Sequence, residues 1–192
     1  MTGPETPEIP AGADARWALK SLTRFVDDYP APGIVFQDLT PVLADADGFR
    51  LIIEDMAEGS RAITGAGGID VVAGLDARGF LLGAAVAREL GVGILAIRKA
   101  GKLPPPVLHE EYALEYGTAA VEIPGEELDL SGTRVLLVDD VLATGGTLTA
   151  ACALLRQAGA EVVGVAVALE VAELAGGERL GDLPLYVVSR GQ

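Results

Sequence analysis

The chain of 192 residues is half hydrophobic by composition and carries a formal charge of -14, from 14 Lys and Arg against 28 Asp and Glu. That length fits one domain with a buried core, and the composition excludes an intrinsically disordered chain. The acidic balance argues against nucleic-acid and anionic-membrane partners, and no apolar run is long enough to span a bilayer.

Residues 1–14 are rich in Pro, Gly, Thr and acidic side chains and read as a flexible tail, with residues 15–192 as a single domain. The start has neither a basic region nor an apolar run, so no secretory leader is expected and the cytoplasm is the expected compartment. One cysteine, Cys152, excludes an internal disulfide framework and reads as a small core residue of a helix. Ala15 to Asp28 predicts a helix capped by Asp14, with Trp17, Ala18, Leu22, Phe25, Val26 and Tyr29 on one face. The prolines and glycine of "YPAPGIVFQDLTPVL" forbid a long helix or a central strand there. Asp47 opens another helix with Phe49, Ile52, Ile53 and Met56 inward.

An alternation of strands and helices follows. Ile69–Gly74 predicts a strand, Phe80–Leu90 a helix closed by Gly91, and Gly93–Arg98 a strand. A polar, proline-rich stretch runs from Lys99 to Glu111, and Tyr112 to Ile123 predicts a two-stranded excursion turning near Gly117. Val135–Val138, Val162–Leu169 and Leu185–Val188 are strands, and Thr147–Ala158 is a helix. Apolar strands separated by helices predict a parallel α/β sheet covered on both faces, with ligands beyond the carboxyl ends of its strands.

The Walker pattern is absent, and "GVGILA" (Gly91–Ala96) has the wrong context for a dinucleotide site because it leaves a helix and enters a strand. The stretch "VLLVDDVLATGGTLTAACALL" has the right one, running strand, turn, helix. Unpaired N–H groups at a helix start carry partial positive charge, and the small residues Ala143, Gly145 and Gly146 let a phosphate approach them. Thr144 and Thr147 add hydroxyl donors. Asp139 and Asp140, just upstream, suit ribose hydroxyls and Mg2+ held directly or through water. Alone, either half of this stretch is more often a capped tight turn. Joined between a Val/Leu strand and an Ala/Leu helix, they indicate a phosphorylated ribose.

The same stretch resembles the phosphoribosyl diphosphate (PRPP) motif of type I phosphoribosyltransferases. "YPAPGIVFQDLTPVL", "VVAGLDARGFLLGAAVARELG", "ILAIRKAGKLPPPV" and "YALEYGTAAVEI" resemble, in this order, segments of the adenine phosphoribosyltransferases, from about Phe25 to Arg179. The resemblance implies the type I fold: a parallel sheet with helices on both faces, a small hood at about 30–45 and a flexible lid at about 99–116. It implies transfer of 5-phosphoribose from PRPP to N9 of adenine, giving AMP and diphosphate, with Mg2+ as cofactor and a homodimer as the assembly.

By the same resemblance the 5'-phosphate sits on Ala143–Thr147, and Asp139 and Asp140 hold the ribose diol and orient the Mg2+-diphosphate. Arg78, Arg98, Lys99 and Lys102 supply cations to the diphosphate, partly across a subunit boundary, and the Asp76–Ala77 peptide is cis. Glu115 assists proton handling at the purine under the closed lid, which excludes water. The lone His109 reads as solvent-facing. In the hood, Phe36 stacks on the base while Val35 and Gln37 present backbone to it; Gln37 stands where an arginine is common. Leu169 packs on the base at a strand exit, Val167–Glu170, with no Lys or Arg between Arg156 and Arg179 to read a 6-oxo group. Two alternatives stay open: a transferase for hypoxanthine, guanine or xanthine, and a PRPP- or purine-sensing regulator. A regulator needs a DNA-binding module or a basic face, and the sequence has neither.

Overall fold

The computed structural model describes residues 9–29, 31–33, 35–114, 117–126 and 128–191. The chain divides into two compact units, Met1–Asp55 and Met56–Gln192. In the first, α1 (Ala15–Leu22) is capped by Asp14, whose carboxylate accepts the Trp17 N–H at 2.8 Å. The helix ends at Leu22 rather than Asp28. Arg24–Val26 instead forms β1, antiparallel to β2 (Phe36–Asp38), with Phe25 opposite Gln37. β-branched Thr23 and Val26 flanking Phe25 favour this extended pairing over another helical turn, so Phe25 and Tyr29 stay exposed. The proline-rich segment otherwise yields only the short α2 (Thr40–Ala44). The long α3 (Ala46–Thr64) begins just before Asp47, with the Asp45 carboxylate accepting the Gly48 N–H at 2.8 Å. Ile52, Ile53 and Met56 are buried as the periodicity predicts, while Phe49 is half-buried.

The second unit contains β3 (Val71–Leu75), α4 (Arg78–Leu90), β4 (Gly93–Lys99), β5 (Val107–Leu114), β6 (Gly117–Pro124), β7 (Arg134–Leu142), α5 (Gly146–Gln157), β8 (Glu161–Glu170) and β9 (Leu185–Arg190). They build a seven-stranded sheet in the order β5-β6-β4-β3-β7-β8-β9. The five strands from β4 to β9 in that order are parallel, and β6 pairs antiparallel with both β4 and β5. From the centre, β3-α4-β4 steps one way and β7-α5-β8 the other. Right-handed crossovers of opposite sense put α4 and α5 on opposite faces. The direction reverses between β3 and β7, where such sheets open a crevice at their carboxyl ends.

The core follows from the apolar runs. Val72, Ala73 and Leu75 of β3, Leu136 to Val138 of β7 and Val165 to Val167 of β8 are all buried. α5 covers one face with Leu148, Ala151, Leu154 and Leu155, and α4 covers the other with Leu82, Val86 and Ala87. Each such leucine contributes about 1.5–3 kcal/mol. Gly91 closes α4 in the left-handed region at φ 76°, as predicted.

β5 and β7 extend furthest beyond the sequence expectation. The hairpin starts at Val107, not Tyr112, because alternation along "LHEEYA" puts His109, Glu111 and Ala113 in solvent while Leu108, Glu110 and Tyr112 are half-buried. Charged outward side chains are usual on an edge strand. β7 runs on past Val138 to Leu142, since its pairing with β8 continues through Asp139–Val167, Val141–Leu169 and Leu142–Glu170. Among the described residues, no helix is long and apolar enough to cross a membrane.

Candidate active site

The carboxyl end of β7 outlasts its neighbour. β3 pairs with β7 only as far as Gly74 opposite Val138, so Asp139 and Asp140 project past the β3 edge beside the first turn of α4. Gly79 permits this proximity: a Cβ there would lie 2.9 Å from both Asp139 Oδ1 and the Val138 carbonyl oxygen. The aspartates are less exposed than a strand exit suggests. Asp140 is 6% exposed, and its Oδ2 forms an ion pair with Arg78 Nε at 2.5 Å. Asp139 is half-buried and its Oδ1 accepts the Asp140 N–H at 2.9 Å. Burial, and then the adjacent Asp140 charge, push the Asp139 carboxyl well above the usual carboxylate range. The two aspartates therefore do not stand exposed at the end of the strand. They form a sheltered, charge-coupled pair, because β8 continues to flank them.

Beyond β7, Ala143–Thr147 makes the turn into α5. Gly145 occupies the N-cap position at φ 78° with no side-chain cap, which leaves the first N–H groups of the helix for a ligand. Its carbonyl accepts the Thr149 N–H and hydroxyl, both at 2.9 Å. The turn rests backbone-to-backbone on Gly176 of the 3-10 segment Gly176–Leu180: a Cβ on Gly145 would come 2.5 Å from the Gly176 carbonyl oxygen. The Thr147 hydroxyl donates to the Tyr112 hydroxyl at 3.3 Å, bringing β5 onto the helix start. Tyr112 and Gly176 were not singled out from the sequence. A tyrosine opening "YALEYG" offered a weak signal, and "GG" in a loop offered none.

The basic residues have partners of their own. Arg98 Nε donates to Asp76 Oδ2 at 3.1 Å, and its guanidinium lies 5.6 Å from the Phe80 ring centroid. Lys99, the last residue of β4, and Lys102, on the turn that follows, are both exposed. The Asp76–Ala77 peptide is cis, as is Pro105–Pro106. His109 is exposed. Glu115 lies outside the described residues. Leu169 is buried in β8. The sequence expectation of a strand exit without cations is corrected here: β9 brings Arg190 alongside, and its Nε donates to Glu170 Oε2 at 2.9 Å. In the first unit, Val35 is exposed and the half-buried Phe36 meets the Tyr29 ring edge-on, with centroids 5.3 Å apart. Gln37 is half-buried opposite Phe25.

Residues 43–181 match the phosphoribosyl transferase domain family. The chain is 59% identical over 181 residues to an adenine phosphoribosyltransferase of Corynebacterium diphtheriae, covering 94% of this chain and 96% of that protein. The chain belongs to the adenine phosphoribosyltransferases. A second family member, from Rhodococcus jostii, is 58% identical over 90% of this chain and 94% of its own. The crystal structure of the adenine phosphoribosyltransferase from Thermoanaerobacter pseudethanolicus superposes with a TM-score of 0.84 at 40% identity, over 90% of this chain and 98% of that one. The enzyme of Saccharomyces cerevisiae, crystallised with an imino-altritol bisphosphate and adenine, gives 0.85 at 32% identity, over 91% and 98%. The mixed α/β architecture with its mostly parallel central sheet is thus that of the type I phosphoribosyltransferase fold.

Proposed function

We propose that this chain transfers 5-phosphoribose from PRPP to N9 of adenine, releasing diphosphate and AMP, and so serves purine salvage in the cytoplasm. The observation that carries the reading is the Asp139–Asp140 pair running into the uncapped start of α5, with Arg78 on Asp140. The Saccharomyces relative binds adenine beside a bisphosphate, and a Trypanosoma brucei relative at 26% identity binds AMP, pyrophosphate and ribose-5-phosphate. Those ligands are the chemistry assigned here.

In this reading the N–H groups and hydroxyls of Ala143–Thr147 hold the 5'-phosphate, as a helix start does without lysine. Asp139 and Asp140 accept from the ribose hydroxyls and favour positive charge developing on the sugar. Arg78, Arg98, Lys99 and Lys102 face the leaving diphosphate. Among the described residues no cluster of three or more His, Cys, Asp or Glu could cage a metal. Two adjacent carboxylates nevertheless fit Mg2+ that arrives on substrate phosphates and keeps several waters. When bound, Mg2+ neutralises charge on the diphosphate. Asp139 and Asp140 are the residues that would hold it. Val35, Phe36 and Gln37 of the hood and Leu169 contact the adenine, and Glu115 of the lid at 99–116 assists its proton transfer. The remaining work is positioning and preorganised charge.

A homodimer also fits one surface. Leu81 of α4 is 57% exposed and Ile94 of β4 is 46% exposed, with Ala84 and Ala96 exposed on the same two elements. An uncovered apolar face on a parallel strand is what a second subunit covers. Diphosphate release from PRPP and Mg2+, with adenine, hypoxanthine, guanine and xanthine in parallel, tests the substrate. Release with adenine alone supports the assignment. Release with a 6-oxopurine and not adenine overturns it, and Arg190 at the strand exit is then the first residue to substitute.

A further inference from the structure

The turn that carries Lys99 and Lys102 is built around a buried carboxylate. Glu122 lies in the run Val121-Glu122-Ile123 of β6, where its apolar neighbours predict a core side chain, and it is 4% exposed. Its Oε2 accepts the Gly101 N–H at 3.0 Å, and its Oε1 accepts the N–H groups of Lys102 and Leu103 at 2.6 and 2.7 Å. Consecutive N–H groups pointing at one anion form a concave nest. Burial acts to raise the Glu122 carboxyl, but those three hydrogen bonds and the Arg98 charge hold it below the usual range. Residues on both sides of the nest are pinned as well. The Ala100 N–H donates to the Ala120 carbonyl at 2.9 Å, and the Lys99 N–H reaches Asp76 Oδ2 at 3.4 Å.

The energetic reason for such a device lies in lysine itself. A lysine ammonium rides on a flexible, rotamer-rich stem, so an ion pair formed by it gains from a fixed point of attachment. Prolines at 104–106 stiffen the far side of the turn. Glu122 fixes the near side, and its Cα partner on β4 is Arg98, the third residue of the basic cluster.

We propose that Glu122 is a positioning residue for the diphosphate half of PRPP: its carboxylate sets the backbone from which Lys102, with Lys99, reaches that group. This rests on the diphosphate assignment of those lysines. Glu122 itself touches no substrate.

The test is steady-state kinetics on Glu122→Gln, Glu122→Asp, Lys99→Ala, Lys102→Ala and the double variant Glu122→Gln/Lys102→Ala, with KM measured for PRPP and adenine separately. Glu122→Gln keeps the size but supplies one acceptor oxygen for three donors. The expected result is a KM for PRPP raised about tenfold, the scale of one lost charge-assisted hydrogen bond, with KM for adenine moved by less than about twofold. Glu122→Asp, still charged but shorter, should fall between Gln and the parent. The double variant should be within about twofold of the worse single variant, because both changes remove one positioned ammonium. A loss confined to kcat, an equal rise in both KM values, or multiplicative losses in the double variant overturn the proposal.

Unchanged PRPP KM in both lysine variants would instead overturn the diphosphate assignment, and the proposal with it. A rise in the lysine variants without one in Glu122→Gln overturns only the role of Glu122. If Glu122→Gln does not fold, Gly101→Ala decides. Gly101 sits at φ 80° with open space around its Cα, so the substitution strains the turn from outside and leaves the core untouched. A selective rise in PRPP KM supports the proposal, and an unchanged KM overturns it.

Discussion

Gly176→Ala probes the phosphate turn from a residue that is not itself assigned to a ligand. A Cβ built on Gly176 overlaps the Ala143 carbonyl oxygen and lies 2.9 Å from the Gly145 nitrogen and 2.8 Å from Leu142 Cδ1. Cβ atoms essentially never come within 3.0 Å of such neighbours, so one side must move. The Gly176 side is tethered by the Val171 N–H on the Leu142 carbonyl at 2.9 Å, and the turn by the Thr149 bonds to Gly145. Restoring ordinary contact takes a shift of the order of 1 Å, shared between two backbone segments that have no flexible side chain to give way. Overpacking of this kind costs about 1–3 kcal/mol of stability. A displacement of about 1 Å at a positioning element costs up to about a hundredfold in rate. Purified Gly176→Ala should therefore show kcat/KM for PRPP reduced about 10- to 100-fold, with a Tm lower by several degrees. The assay is diphosphate release at fixed saturating adenine with PRPP varied, alongside a thermal melt. A lower Tm with kcat/KM for PRPP within about twofold of the parent would refute the reasoning. It would mean that the 3-10 segment retreats and the turn stays in place.

Asp140→Asn should lower turnover at least about tenfold, because it removes the charge proposed to face the sugar and the carboxylate that pairs with Arg78; near-normal turnover removes Asp140 from its role. Asp70, at the start of β3, accepts from Arg134 Nε at 2.9 Å and Nη2 at 2.6 Å, and this pairing holds its carboxyl well below the usual range. A depressed carboxyl stabilises the fold above its unfolded pKa of about 3.9 and loses that contribution as pH falls through the folded value. Asp70→Asn should lower stability at neutral pH and flatten the acid limb of a stability–pH curve below about pH 4, so that variant and parent converge in acid; an acid limb unaltered by the substitution would contradict the pairing. Burial pushes the Cys152 thiol up to about 11, so it stays protonated and shielded at neutral pH. Thiol reagents should label it only after denaturant is added, and rapid labelling of the native protein would contradict its place inside α5.

The parallel core was legible because strands buried on both faces are written as unbroken apolar runs, and helix ends such as Asp14 and Gly91 carry chemistry that local sequence reveals. The phosphate turn was legible for a related reason: its function is carried by backbone, and the small residues that expose backbone are visible. What escaped depends on pairing between distant segments. The aspartates read as an exit because charge usually ends a buried strand, yet β8 continues beside them. The Glu170–Arg190 contact requires a β8–β9 register that neither segment states alone. Glu122 was not singled out in the sequence, since its three partners are N–H groups, which every residue but proline has. The first helix was read too long because Phe25, Val26 and Tyr29 continue a helical spacing while the backbone of Phe25 and Val26 pairs as a strand.

The Arg78–Asp140 ion pair has an electrical consequence for how the site fills. Asp140 is almost wholly enclosed, and removing one member of a buried pair leaves a charge whose desolvation goes uncompensated. An anion that draws Arg78 away strands Asp140. A cation or hydroxyl donor that takes Asp140 takes that carboxylate from Arg78. A ligand presenting both kinds of group at once offers each member of the pair a new partner. In the proposed reading PRPP with its bound cation is such a ligand, since it carries negative charge, hydroxyls and a metal ion together.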